Sequence, residues 1–281
     1  MGRREKLARI FRDTERLYQT NPRLRTAAEE SRARARLYLP GEPLELPATN
    51  GAGAVVTVSG SKSFDAARRL LDENPTGRVA VLNFASATNP GGGVLHGSSA
   101  QEESLCRCST LYPTLNQRRF WDGYYQHHRD QGDVRYSDAC IYSPGVVVFK
   151  RDTEYPELMS ENEWFEVDVV TCAAPNLRRM PSNFFNPGSG SWRPVGDEEL
   201  YRLHFSRGRR ICEIAAVNGA TSLVLGAFGC GAFQNDPRVV ARAYRTVLEE
   251  MGPYFEKIEF AVFCAPGREP ENFKAFRDAF E

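Results

Sequence analysis

Two neighbouring glutamates, Glu102 and Glu103, follow Gln101 and stand seven residues after a glycine triplet, Gly91-Gly92-Gly93. Carboxylates do acid–base chemistry, and cleaving a glycosidic bond needs one group to protonate the departing oxygen and another to activate water. Successive helical residues point about 100° apart, so adjacent glutamates can do different jobs at one ligand. A carboxyl in a partly dry pocket, near a diphosphate or a second carboxylate, has a raised pKa and can serve as the acid near neutral pH. A purely structural explanation competes. Ser99 and Glu102 have the spacing of a capping box, and acids favour a helix's first turn. That accounts well for Glu102. It accounts for Glu103 only through the dipole.

A second glycine-dense segment, Gly226-Ala227-Phe228-Gly229-Cys230-Gly231-Ala232-Phe233, follows the apolar run Leu223–Leu225, just as the triplet follows Val79–Phe84. In open α/β sheets, ligands bind where the carboxyl ends of strands open into such loops. Glycine-rich turns let backbone N–H groups converge on an anion without a charged side chain. Tight turning alone explains either loop taken singly, and neither is a P-loop or a dinucleotide fingerprint. Two such loops at one sheet edge suit a diphosphate compound.

The elements that must hold these loops alternate. Strand-like runs are Val55–Val58, Val79–Phe84, Gly145–Phe149, Val167–Cys172, Leu223–Leu225 and Ile258–Cys264. Helical patterns cover Phe64–Glu73 with Ser63 as cap, Ser99–Leu115, Asp197–Asn218, Pro237–Met251 and Pro270–Phe280. Phe120–Arg135 reads as a polar, aromatic connection and Asn183–Pro194 as a long loop. The pattern predicts an α/β fold with helices on both faces of a largely parallel sheet. Helical spacing also runs over residues 3–20, ended by Asn21-Pro22, and a second charged stretch spans about 23–38. Residues 1–40 hold eleven Lys and Arg against five Asp and Glu, a basic arm that either packs on the main domain or touches a polymer. The expected organisation is a 1–40 helical extension and a 41–281 catalytic domain.

The chain of 281 residues carries 36 basic and 36 acidic residues, so net charge gives no reason to expect direct DNA or membrane binding. Thirty-one of the basic residues are arginine, which coding bias explains as readily as phosphate binding. Seven cysteines at no metal-ligand spacing point to a reducing, cytoplasmic compartment without structural zinc. The start lacks the apolar core of a signal peptide. His127-His128 reads as an exposed, solvated pair, and Tyr124 and Tyr125 as core more readily than as a stacking platform.

The triplet, seven residues and Gln101-Glu102-Glu103 resemble the signature of poly(ADP-ribose) glycohydrolases, and Gly226–Phe233 resembles the diphosphate loop of macrodomains, the fold of those enzymes. The similarity spans about residues 50–265 and resembles the bacterial-type branch. It implies a three-layer α/β/α macrodomain-like fold and cleavage of ribose–ribose bonds to release ADP-ribose, with neither metal nor cofactor. It implies Glu103 as the catalytic acid and then base, Glu102 on ribose hydroxyls and Gln101 as a positioning residue. Gly91, Gly92 and Gly93, with Asn89 nearby, would wrap the distal ribose and phosphate. Ala227–Ala232 would cradle the diphosphate, Phe228 or Phe233 would pack on the ligand, and Phe263 is a candidate for stacking on adenine. No second catalytic carboxylate is evident, so the substrate's own diphosphate would stabilise the oxocarbenium-like transition state. Poly(ADP-ribose), ADP-ribose and ADP-ribosylated proteins are the implied partners. Two other functions stay open: a macrodomain that binds ADP-ribose without cleaving it, and a hydrolase of mono-ADP-ribosylated proteins.

Overall fold

The computed structural model describes residues 2–49, 51–184 and 187–281. The strands of its main sheet are β1 (Arg36–Tyr38), β2 (Val55–Ser59), β3 (Val79–Phe84), β4 (Cys140–Val148), β7 (Phe165–Cys172), β8 (Ser222–Leu225) and β9 (Lys257–Ala261). These seven lie in the order β1-β4-β7-β3-β8-β9-β2. The block β7-β3-β8-β9-β2 is parallel, and β4 lies antiparallel to both of its neighbours. A two-stranded ribbon of β5 (Lys150–Arg151) and β6 (Glu157–Leu158) follows β4.

Strand alternation divides the core into two layers. Val79 and Val81 of β3 join Val167 and Val169 of β7 against the helices α1 (Arg3–Thr20), α2 (Pro22–Arg34), α3 (Ser63–Glu73), α4 (Gln101–Cys108) and α5 (Leu111–Leu115). Ala80, Leu82 and Val170 face the opposite layer, built from α8 (Asp197–Val217), α9 (Pro237–Met251) and α10 (Glu271–Phe280). This is the expected three-layer α/β/α arrangement with a mixed, largely parallel sheet. Among the described residues no helix is long and apolar enough to cross a membrane.

Several local expectations are corrected by tertiary contacts. The Ser99–Leu115 helix is two helices, because β4 captures the backbone between them. The Thr110 N–H donates to the Val147 carbonyl (3.0 Å) and the Phe149 N–H to the Cys108 carbonyl (2.9 Å). The charged stretch 23–38 is α2 followed by edge strand β1, so the amino-terminal segment adds a strand to the sheet. Phe120–Arg135 is largely helical: α6 (Arg118–Phe120), a π-turn over Trp121–Tyr125 and α7 (Gln126–Gln131). Tyr124 and Tyr125 are core residues, and His128 is buried with its ring on the Ser137 hydroxyl (2.8 Å), whereas His127 alone is exposed. Ser63 does not cap α3; Lys62 precedes the helix without a side-chain cap.

Candidate active site

The carboxyl end of β3 turns at Ala85 into the triplet loop, and α4 returns the chain across that end. Gln101 fastens this return. Its amide accepts the Phe84 N–H (2.9 Å) and donates to the Leu82 carbonyl (2.8 Å) and the Ser63 hydroxyl (3.1 Å). Glu102 does not close a capping box with Ser99, because its carboxylate is used elsewhere. One oxygen accepts the Ser86 N–H (2.7 Å) and the other faces the Asn83 amide (3.3 Å). Glu103 accepts the Gly93 N–H at 2.9 Å through one oxygen.

The two carboxylates converge beneath Gly92. A Cβ built there would lie 2.7 Å from a Glu103 oxygen and 3.1 Å from a Glu102 oxygen, and φ is +56°. Only glycine fits that conformation over that pair. Both glutamates are buried, 2% and 7% exposed. Burial is the largest cause of the rise in each carboxyl's pKa, and repulsion from Glu103 helps to push Glu102 up to about 8. Two like charges this close and this dry hold one proton between them near neutrality. Glu102 has a donor on each oxygen, which offsets only part of the rise caused by burial and by Glu103. Glu103 accepts from backbone N–H groups, and the proton belongs to the pair and not to either carboxyl alone. Behind Glu103 one turn along α4, Arg107 is 2% exposed. Its Nη1 donates to the Ser98 carbonyl (2.6 Å), and its charge offsets part of the rise at Glu103.

These groups open into a cavity of about 1460 Å³. From the sequence-predicted set, Gly92, Gly93, Gln101, Glu102, Glu103, Ala227, Phe228, Gly229, Gly231, Ala232, Phe233 and Phe263 line it together. Gly229 takes φ +79°, and a Cβ there would sit 2.6 Å from the Ala174 side chain. The N–H groups of Gly229, Gly231 and Ala232 donate to no protein acceptor among the described residues, and these residues line the same cavity as the glutamates. Such a nest of uncommitted backbone donors can hold an anion.

Four predicted residues do not line the cavity. The Asn89 carbonyl accepts the Gly92 N–H (3.1 Å) and its side chain accepts from Arg129, so it closes the triplet turn. Gly91, φ +68°, lies against the Tyr112 ring. Gly226 lets β8 approach the Ala261 carbonyl, which a methyl at that position would meet at 2.7 Å. The Cys230 thiol donates to the Phe228 carbonyl (3.6 Å), and burial raises its pKa. Phe228 is 0% exposed, so its ring supports the loop from behind and Phe233, half-buried, is the aromatic available to a ligand. Phe263 stands on the rim, 55% exposed, with the Lys62 ammonium 5.5 Å from its ring centre.

Residues not singled out by the sequence complete the site. Asn83 is a polar residue ending the apolar run of β3, a signal that was present. Lys62 bridges to Asp152 (2.9 Å), and Asp152 accepts the Ser104 hydroxyl (2.5 Å), bracing α4 from its outer side. Asn235 ties the second loop to the Pro175 carbonyl (2.7 Å) and to His204 (2.7 Å), whose pKa burial lowers to about 4. Thr14 of α1 donates to the Arg107 carbonyl (2.6 Å), and the Arg4 carbonyl occupies the space a Cβ on Gly97 would need, 1.9 Å away. Such partners, far apart along the chain, leave no local pattern.

Residues 8–151 match the family model described as the microbial-type PARG catalytic domain. The chain belongs to the microbial-type poly(ADP-ribose) glycohydrolase family. The poly(ADP-ribose) glycohydrolase of Thermomonospora curvata is 35% identical with a TM-score of 0.82, over 99% of this chain and 100% of that one. The same enzyme bound to the inhibitor ADP-HPD gives 33% identity and a TM-score of 0.79, over 99% and 100% of the two chains. The Deinococcus radiodurans glycohydrolase in complex with ADP-ribose is 33% identical with a TM-score of 0.74, over 90% of this chain and 96% of that one. No curated protein matched the chain. Within this family fold, the glutamate pair and the nest occupy the carboxyl ends of two adjacent parallel strands, β3 and β8.

Proposed function

We propose that this chain hydrolyses the ribose–ribose O-glycosidic bonds of poly(ADP-ribose) and releases ADP-ribose. One observation carries the reading: two buried carboxylates with raised pKa share a cavity with a row of uncommitted backbone N–H donors. Two of the solved relatives bear ADP-ribose or ADP-HPD, ligands whose diphosphate matches such a nest. In this reading Ala227–Ala232 cradles the diphosphate, Phe263 stacks on adenine and Glu102 holds ribose hydroxyls. Glu103 protonates the departing ribose oxygen as the C–O bond breaks. The substrate diphosphate, held in the nest, faces the oxocarbenium-like carbon and offsets its charge. Glu103, now a carboxylate, takes a proton from the attacking water and is reset.

The 1–40 segment works with the 41–281 domain by backing α4 through Thr14 and the loop before it through Arg4. Seven unpaired cysteines fit a cytoplasmic setting, and ADP-ribosylated proteins are the macromolecules that would present the polymer.

Incubating labelled polymer with wild type and Glu103→Gln, and following free ADP-ribose, tests the reading. Release by wild type alone is expected. Tight ADP-ribose binding by a wild type that leaves polymer intact would make the chain a reader. Equal release by both proteins would remove Glu103 from its role.

A further inference from the structure

The segment after β7 is sewn to the second glycine loop. The Leu177 N–H donates to the Phe233 carbonyl (3.0 Å), and Asn235 reaches back to the Pro175 carbonyl (2.7 Å). The next side chain, Arg178, therefore falls on the Phe233 ring, with its guanidinium carbon 5.5 Å from the ring centre, and lines the same cavity as Glu103. Its Nε donates to the Asn176 side chain (3.1 Å) and its Nη2 to the Pro181 carbonyl (3.0 Å). Both acceptors are neutral. Among the described residues Nη1 has no protein acceptor and no carboxylate pairs with the guanidinium, whereas Arg3 and Lys62, two further cations lining the cavity, face Glu154 and Asp152.

A half-buried guanidinium without a counter-ion is costly. Its charge is destabilised by burial, which lowers the pKa of Arg178. Two of its donors are spent on fixing its orientation, and Arg178 lines the same cavity as the backbone nest, on the ring of Phe233 that follows the nest in the chain. Guanidinium and nest together match a phosphate oxygen pair.

We propose that Arg178 is a substrate-binding residue that clamps a phosphate of the ADP-ribosyl group, adding a side-chain cation to a nest of backbone N–H groups. This assignment rests on the reading that the cavity takes ADP-ribose. Because the clamp grips phosphate before and during bond cleavage, it supports ground state and transition state alike. Its loss is expected in KM more than in kcat.

The test measures ADP-ribose affinity by calorimetry across a salt series for wild type, Arg178→Lys and Arg178→Gln, with adenosine titrated in parallel as a phosphate-free probe. Glutamine retains a donor for the Pro181 carbonyl but no charge, so it separates the phosphate clamp from loop support. Arg178→Gln is expected to weaken ADP-ribose by about 10- to 100-fold, the range for one charge-assisted hydrogen bond. It should flatten the salt dependence and leave adenosine binding unchanged, with Arg178→Lys in between. Wild-type ADP-ribose affinity in Arg178→Gln overturns the proposal, as does a parallel loss of adenosine, which would make Arg178 a loop support only. Failure of wild type to cleave polymer while still binding ADP-ribose would sink the hydrolase reading and leave the clamp standing.

Discussion

Glu103→Gln replaces an ionisable group by an isosteric amide that still accepts the Gly93 N–H, now held at 2.9 Å. General acid–base groups contribute about 10²–10⁴-fold, so kcat on polymer should fall by that factor while ADP-ribose affinity survives. The wild-type rate should decline as pH rises, because the shared proton leaves the pair on the alkaline side, where burial and repulsion have pushed Glu102 to about 8. A pH profile of kcat/KM that stays flat from pH 6 to 9, a span of roughly three pH units around that value, would refute the shared-proton assignment. The same shift has a stability consequence. Both carboxyls bind protons more tightly folded than unfolded, so their contribution is full below the ordinary glutamate range. It is lost as pH rises through the raised folded values. Glu103→Gln removes the repulsion, and thermal melts should show the variant more stable than wild type at alkaline pH, with the gap closing towards pH ~4.5.

Helix α1 touches the triplet loop backbone to backbone, and this contact decides what the loop tolerates. Gly97 has φ +73°, and a methyl there would collide with the Arg4 carbonyl at 1.9 Å. Backbone cannot rotate aside as a side chain would, so Gly97→Ala must push α1 away from the loop that carries Ser98 and hence Arg107. We expect a stability loss of about 1–3 kcal/mol, the range for left-handed strain plus a clash, together with reduced kcat. A melt and a turnover assay check both. Gly92→Ala meets carboxylates instead of backbone. Its penalty should fall chiefly on activity, because the methyl displaces the two carboxylates proposed to act on the substrate. Comparable stability losses with unchanged turnover in both variants would show that loop geometry is not what sets the rate. At this scale the legible part was the loop-then-helix order. The break in that helix at Ser109-Thr110 was hidden, since it answers to Val147 and Val148 of β4, far along the chain, and not to any breaker in the sequence.

Across the whole molecule the parallel block of the sheet brings β3, β8 and β9 side by side, so three loops from distant parts of the chain form one cavity. A ligand spanning all three couples them. ADP-ribose at about 100 times its Kd should stabilise the fold by about 2.7 kcal/mol if it binds only the native state, visible as a rise in Tm. Phe263→Ala, at the rim after β9, should shrink that rise without changing the unliganded Tm, since its ring is largely exposed. An undiminished rise would place adenine elsewhere.

The sequence by itself determined the α/β class, most strand and helix cores, the two glycine loops and the glutamate pair. Those features are local: period-two and period-3.6 patterns, glycines at turns and adjacent acids are all written within a few residues. It also carried the family signature in Gly91–Gly93 and Gln101–Glu103. Tertiary structure decided which of these residues line the cavity. Asn89, Gly91, Gly226 and Cys230 belong to the same motifs as their neighbours, yet turn closure and strand approach take them out of the cavity. It also decided the protonation chemistry. Glu102 looks like an N-terminal capping residue until Asn83 and Ser86, sixteen or more positions earlier, claim its oxygens. Arg178 is one of 31 arginines in the sequence; the pairing of Leu177 with Phe233 sets it on the cavity wall, without a counter-ion among the described residues. Burial and charge compensation are properties of packed neighbours, and packing joins residues whose separation along the chain no local pattern records.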